Sequence, residues 1–237
     1  DPLPAEALDA LRRLTHALAA LVDPTTGRAP NYGPNDGALI LPLSGTEFED
    51  YRPGLQAAAC LLDGGRLYPA GPWDEALVWL GLQAGKDAPP APGDGGEDQP
   101  QAGLYLLGPV DNRALLRCAR FTSRPGHSDQ LHVDLRRGRH PLAIDAGTYL
   151  YNGAPPWDNA LASAGVHNTV VVDELEPMER AGRFLWLQWA QGQVLGRWRS
   201  EDGRLEAIAA EHDGYSRLGV THRRTLIRFD ASAWLVV

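Results

Sequence analysis

Cysteine is scarce here, and its scarcity excludes two classes of protein. The 237-residue chain has two, Cys60 and Cys118, in segments of different expected type. Neither a disulfide framework nor a cysteine-ligated zinc site can be built from them, and both read as buried thiols. No apolar run approaches the ~18 residues that a membrane span needs. The opening residues, Asp1-Pro2-Leu3-Pro4, lack the features of a signal peptide. Positive charge is in deficit, with 22 Lys and Arg against 30 Asp and Glu and a net charge of −8. A surface of that sign repels phosphate backbones and anionic lipid headgroups, so neither nucleic acid nor a membrane is expected as a partner. A local basic cleft for an anionic sugar remains compatible with it. There is no internal repeat. The chain stops inside an apolar run, Ala233-Trp234-Leu235-Val236-Val237, and both ends read as cut from something longer.

What is present suffices for a core. Hydrophobic residues make up 43% and charged residues 22%, ordinary globular usage for a length that allows one large or two modest domains. Leu8, Leu11, Leu14, Leu18 and Leu21 recur at helical spacing and predict a helix over Ala5–Leu21, closed by Asp23-Pro24. A second helix is expected over Gly54–Leu62, opening after Pro53 and stopping before Gly64-Gly65, and a third over Trp73–Leu82. Residues 84–102, rich in Pro, Gly and Asp, read as a linker. Beyond it the apolar period shortens. Strands are expected over Leu104–Leu107, Ala114–Phe121, Leu131–Leu135, Pro141–Asp145, Thr169–Asp173, Phe184–Trp198, Arg204–Glu211, Arg223–Phe229 and Trp234–Val237. The expectation is therefore an α+β chain, with helices in residues 1–83 and an antiparallel β-sandwich in residues 103–237.

Polar residues that interrupt apolar runs mark the candidate chemistry, and most lie between Arg124 and Thr169. In the strand from Gln130, alternation puts Leu131, Val133 and Leu135 on one face and Gln130, His132 and Asp134 on the other. His127 and Asp129 precede it on a turn. Asp145 ends an apolar strand ahead of Gly147, where a buried carboxylate needs a compensating partner. His167 precedes Val170-Val171-Val172, with Asn168 and Thr169 able to hold the turn. Two imidazoles and one carboxylate at strand ends suit Zn²⁺, with a fourth position for water or another group. The same residues also make a hydrogen-bonded His–Asp pair in a sandwich core, and spacing alone does not choose between them. In the helical part, Tyr51 beside Arg52 suits proton transfer or plain packing.

Taken together, Asn35-Asp36-Gly37, His127-Ser128-Asp129-Gln130-Leu131-His132, Asp145-Ala146-Gly147-Thr148-Tyr149 and His167-Asn168-Thr169-Val170 resemble the heparinase II/III-like polysaccharide lyases. Arg180–Trp186 and His222-Arg223-Arg224 look like less specific elements of the same family. The resemblance implies the end of an (α/α) toroid followed by antiparallel sheets, with the rest of the toroid and the end of the sheet domain outside this sequence. It implies elimination across a uronic-acid glycosidic bond, an acidic polysaccharide as partner, and a periplasmic or secreted setting. Residue by residue, it assigns His127, Asp145 and His167 as ligands of a structural divalent metal, Zn²⁺ by preference. Tyr51 becomes the candidate base, with Asn35 and Arg52 as substrate contacts. One position departs from the pattern: Pro125 stands two residues before His127, where lyases of this kind often carry a second histidine. A non-catalytic carbohydrate-binding relative that keeps the metal site is the alternative, with Tyr149, Tyr151, Trp157, Trp186 and Trp189 as candidate stacking surfaces or core. A glycoside hydrolase would need two opposed carboxylates, and no such pair stands out.

Overall fold

The structure, a computed structural model, describes residues 3–35, 37–85, 98–138, 140–230 and 233–237. Its contacts divide into two units, one of Asp1–Pro30 with Gly37–Glu97 and one of Asn31–Asp36 with Asp98–Val237. The chain is α+β, as expected, with three α-helices and antiparallel sheets among the described residues.

In the first unit α1 spans Ala5–Leu21, the range set by its leucine spacing. Helix α2 spans Arg52–Asp63 and carries Pro53 in its first turn, where a missing N–H breaks no helical bond. It closes on Gly64 at φ 72°, the left-handed cap that glycine takes without strain. The third expected helix is shorter than its apolar run. A 3₁₀ turn at Pro72–Asp74 leads into α3, Glu75–Trp79. Ala19, Val22, Leu55, Ala59, Leu67 and Tyr68 form the core, with Tyr51 and Trp73 packed on it. Gln56 is fully buried there and fully used. Its Oε1 accepts from the Leu67 and Tyr68 amides, and its Nε2 donates to the Tyr68 carbonyl and Asp74. A satisfied polar group of this kind fixes the turn after α2 without the penalty of an orphaned donor.

The second unit has ten strands among the described residues: β1 Leu104–Leu107, β2 Asn112–Arg117, β3 Val133–Arg137, β4 His140–Ala143, β5 Glu179–Gly182, β6 Leu185–Leu187, β7 Gly192–Arg199, β8 Leu205–His212, β9 His222–Phe229 and β10 Ala233–Val236. One four-stranded sheet runs β1-β2-β3-β4, a second runs β10-β9-β8-β7, and β5 pairs with β6. All these pairings are antiparallel. Leu107, Ala114, Leu116, Leu131 and Val133 from the first sheet region meet Ile208, Ala210 and Leu226 from the second in one core, which makes the two sheets a sandwich. Both cysteines are free and buried, and burial pushes the Cys118 thiol up to about 12.

Three strand expectations are corrected. The strand expected from Leu131 begins at Val133, because Leu131 stands at φ 57°. Thr169–Asp173 is not a strand; its backbone makes one isolated bridge, Val172 to Leu175, and turns away at Asp173 and Glu174, whose φ values are 51° and 60°. The apolar run Phe184–Trp198 is two strands, β6 and β7, divided at Gln188 with φ 51°. Left-handed residues end extended pairing whatever the side-chain pattern. Most of the expected linker, residues 86–97, lies outside the described residues, as does Asp36. No helix among the described residues is long and apolar enough to cross a membrane.

Candidate metal centre

Three segments of the second unit meet at one buried point: the turn before β3, the segment after β4, and the segment after a 3₁₀ turn at Ala164–Val166. They carry His127, Asp145 and His167, whose ligand atoms lie within 4.8 Å of one another. All three are buried, at 2%, 3% and 7% exposure. The spacing in sequence gave no reason for this convergence, and backbone hydrogen bonds supply it. Ser128 N–H donates to the Ala162 carbonyl, and Thr169 Oγ1 donates to the Gln130 carbonyl at 2.6 Å. Asn168 Nδ2 lies between the carbonyls of Val133 and Ile144, at 3.1 and 3.0 Å, and so joins all three segments.

Two of the three candidate ligands are also oriented. His167 Nδ1 lies 2.8 Å from the Ser163 carbonyl, which places its proton there and leaves Nε2 to face the site. Asp145 Oδ1 accepts the Gly147 amide at 2.7 Å, leaving Oδ2 toward His167. Gly147 has φ +68°, and a Cβ there would sit 3.1 Å from Asn31 Nδ2, so both conformation and space call for glycine. Asn31 in turn donates to the Asp145 carbonyl at 3.0 Å. His167 Nε2 is 3.2 Å from Asp145 Oδ2 but makes no well-directed hydrogen bond, and both ring nitrogens of His127 have no partner. Orphaned buried nitrogens cost stability unless something occupies the space between them. Two imidazoles and a carboxylate converging in that way fit a divalent cation.

Electrostatics agree with the geometry. Burial disfavours a charged His167, yet Asp145 overcomes it and holds its pKa above the ordinary histidine value. Burial likewise opposes ionisation of Asp145, and His167 more than offsets this, lowering its pKa. His127 is pushed down, mainly by burial, so it stays a neutral imidazole.

A fourth polar group sits beside these three. His132 stacks edge-on to His167 with centroids 5.5 Å apart, and its Nδ1 accepts the Asn168 amide at 3.0 Å. That bond puts the proton of the neutral ring on Nε2, which has no partner. Burial lowers the His132 pKa to about 4. The alternation expected from Gln130 does not form, because Gln130 and His132 lie ahead of β3 with Leu131 at φ 57° between them, yet Gln130, His132 and Asp134 are all buried rather than solvated.

The remaining candidates lie elsewhere. Asn35 is in the second unit, its amide donating to Thr148 Oγ1 at 3.0 Å. Tyr51 and Arg52 are in the first unit. Tyr51 packs on the helical core. Arg52 is paired with Asp50 at 2.7 Å, donates to the Pro24 and Thr25 carbonyls, and lies 4.0 Å from the centroid of Trp73. Pro125 is fully buried.

The sequence model of the family described as Heparinase II/III-like, C-terminal, matches residues 91–237. Comparison with curated proteins gives no match. Among solved structures, heparan sulfate lyase HepC from Pedobacter heparinus is similar with a TM-score of 0.65 at 15% identity, over 99% of this chain and 32% of that one. A heparinase III gene product gives 0.65 at 16%, over 99% and 32%, and a further heparinase III gives 0.60 at 15%, over 99% and 34%. At these identities the likeness is one of fold, and the chain spans about a third of the length of those proteins.

Proposed function

The chain belongs to the heparinase II/III-like family, and from that premise we propose that it is part of a polysaccharide lyase that cleaves a uronic-acid-containing glycan by β-elimination. The observation that carries this reading is the buried convergence of His127, Asp145 and His167 with unpartnered ring nitrogens, on the segments that carry the family motifs.

In such a reaction a base removes the C5 proton, the C4–O bond breaks as the C4–C5 double bond forms, and an acid protonates the departing oxygen. Charge builds on the uronate carboxylate meanwhile, where preorganised donors act most strongly. His127, His167 Nε2 and Asp145 Oδ2 would hold the divalent metal, Zn²⁺ by the chemistry of the donor set. When bound, it would cross-link the three segments and supply positive charge in a buried place. The Ser163 carbonyl and the Gly147 amide keep the two outer ligands aimed whether or not it is bound. Tyr51 is proposed as the base, with Asn35 and Arg52 toward the substrate, on the strength of the family motifs. For Arg52 that role requires release from Asp50, and for Tyr51 it competes with a packing role. A polymeric acidic substrate favours a periplasmic or secreted protein.

The test is full-length protein incubated with a panel of uronate polymers, followed by the ultraviolet absorbance of the unsaturated product. A rise that Tyr51→Phe abolishes supports lyase and base together. A rise that the variant keeps removes Tyr51 from the chemistry. Binding without any rise favours the second reading, a carbohydrate-binding relative. One observation speaks for that second reading: the side chain at 125 is a proline, buried and without a proton to exchange.

A further inference from the structure

Beside the metal centre, within the second unit, lies a recess of about 180 Å³. Pockets that enclose a whole drug-sized ligand run to ~300–1,000 Å³, so this one takes a single ring edge with its substituents. Arg117, Arg120 and Arg124 line it against one carboxylate, Asp129. Three cations to one anion is a local excess of positive charge on a chain of net charge −8.

These arginines are not equivalent. Arg117 is 7% exposed and spent on structure. Its Nε donates to Asp129 Oδ2 at 3.2 Å, and its guanidinium lies 4.7 Å from the Tyr32 ring centroid and 5.6 Å from that of Phe121. Arg120 is exposed and has no hydrogen-bond or ion-pair partner among the described residues. Arg124, also exposed, uses Nη1 on the Phe184 carbonyl at 2.8 Å. The uncommitted positive charge therefore stands at the rim.

A second observation is independent of the charges. Asp129 is 4% exposed, and its Oδ1 has no hydrogen-bond partner. An orphaned buried carboxylate oxygen is costly. It asks for a donor and repels an anion. The arginines ask for the reverse. A ligand that satisfies both carries a hydroxyl beside a negatively charged group, and sugars with a carboxylate meet that description. Arginine forks match a planar carboxylate in a two-point contact.

We propose that this recess is a subsite for one uronate residue of an acidic glycan, with Arg120 and Arg124 on the carboxylate and Asp129 Oδ1 accepting a ring hydroxyl. The proposal rests on the acidic-glycan reading above and names where such a glycan is gripped.

Calorimetric titration of full-length protein with methyl glucuronide, methyl glucoside and glucose 6-sulfate tests it, because none of the three can undergo chain cleavage. The glucuronide is expected to bind at least tenfold tighter than the other two. In the Arg120→Gln/Arg124→Gln variant that advantage disappears, while glucoside binding and metal content stay as in the wild type. Equal binding of glucuronide and glucoside, equal binding of the sulfate, or a variant that binds glucuronide normally would each overturn the subsite. The two proposals fail separately. Glucuronide binding lost in the variant, in a protein that never yields unsaturated product, keeps the subsite and removes the lyase. Turnover with an unchanged KM in the variant keeps the lyase and removes the subsite.

Discussion

The sheet domain buries two groups of histidines, and their contrast is more informative than either alone. His212 and His222 face each other across β8 and β9. Gly214 N–H donates to His212 Nδ1 at 3.1 Å, so the His212 proton sits on Nε2 and goes to His222 Nδ1 at 3.0 Å. Three of the four ring nitrogens have a partner, and neither ring holds a nitrogen that is both sealed from solvent and unpartnered. At His127, His132 and His167 the reverse holds: ring nitrogens are equally buried, yet four of them have no partner, and a carboxylate stands among them. Burial makes both groups expensive to charge. Only the second is left chemically incomplete, and incompleteness in a place water cannot easily reach is the mark of a site built around something else.

The largest expected effect that would break this contrast comes from His167→Ala. It leaves Asp145 buried without its partner, and breaking a buried charge pair in that way costs about 3–5 kcal/mol. Denaturant unfolding measures the loss, and elemental analysis should find one divalent ion per wild-type chain and none in the variant. A variant that unfolds like the wild type, with no metal in either, would make the cluster merely another hydrogen-bonded pair.

His222→Phe is expected to cost less, about 1–3 kcal/mol, because it orphans the buried His212 Nε2–H without uncovering a charge. Metal content should not change. Loss of metal in this variant would show that the two groups are coupled.

The finest distinction is in pH. Burial lowers His212 to about 3 and His222 to about 4, against about 6.5 in an unfolded chain. Between those values the unfolded state binds more protons, so the stability this pair contributes is full above about 6.5 and is lost as pH falls toward 4. His167, held above its ordinary value by Asp145 against the cost of burial, has the opposite sign in metal-free protein. What it contributes is full below the unfolded value and lost as pH rises through its folded one. Histidine-selective NMR titration of metal-free protein should show His167 titrating above its ordinary value while His212 and His222 stay neutral down to about pH 4. Replacing both members of the satisfied pair with leucine should flatten the acid side of the melting-temperature profile.

Much of the fold could be read from pattern, since pattern records which face of an element meets the core. The leucines of α1 set its limits to the residue, and β1, β8 and β9 lie where short apolar runs between turn residues put them. Reading failed where side chains hold the backbone. Val170-Val171-Val172 has the composition of a strand, but Asn168 and Thr169 spend their hydrogen bonds on Val133, Ile144 and Gln130, and the left-handed Asp173 and Glu174 follow. The run after Phe184 broke at Gln188 for a reason of the same kind.

The sequence by itself determined most of the element types, the order of helices before sheets and the residues able to ligate a metal, because propensity, periodicity and donor chemistry are local properties. Tertiary structure alone decided that His127, Asp145 and His167 meet, that His132 joins them with its proton on Nε2, and that His212 and His222 close on each other. Whether a buried histidine is satisfied or waiting depends on which carbonyl, amide or ring lies within about 3 Å of each nitrogen. Residues distant along the chain supply those partners, and only the packed sheets bring them there.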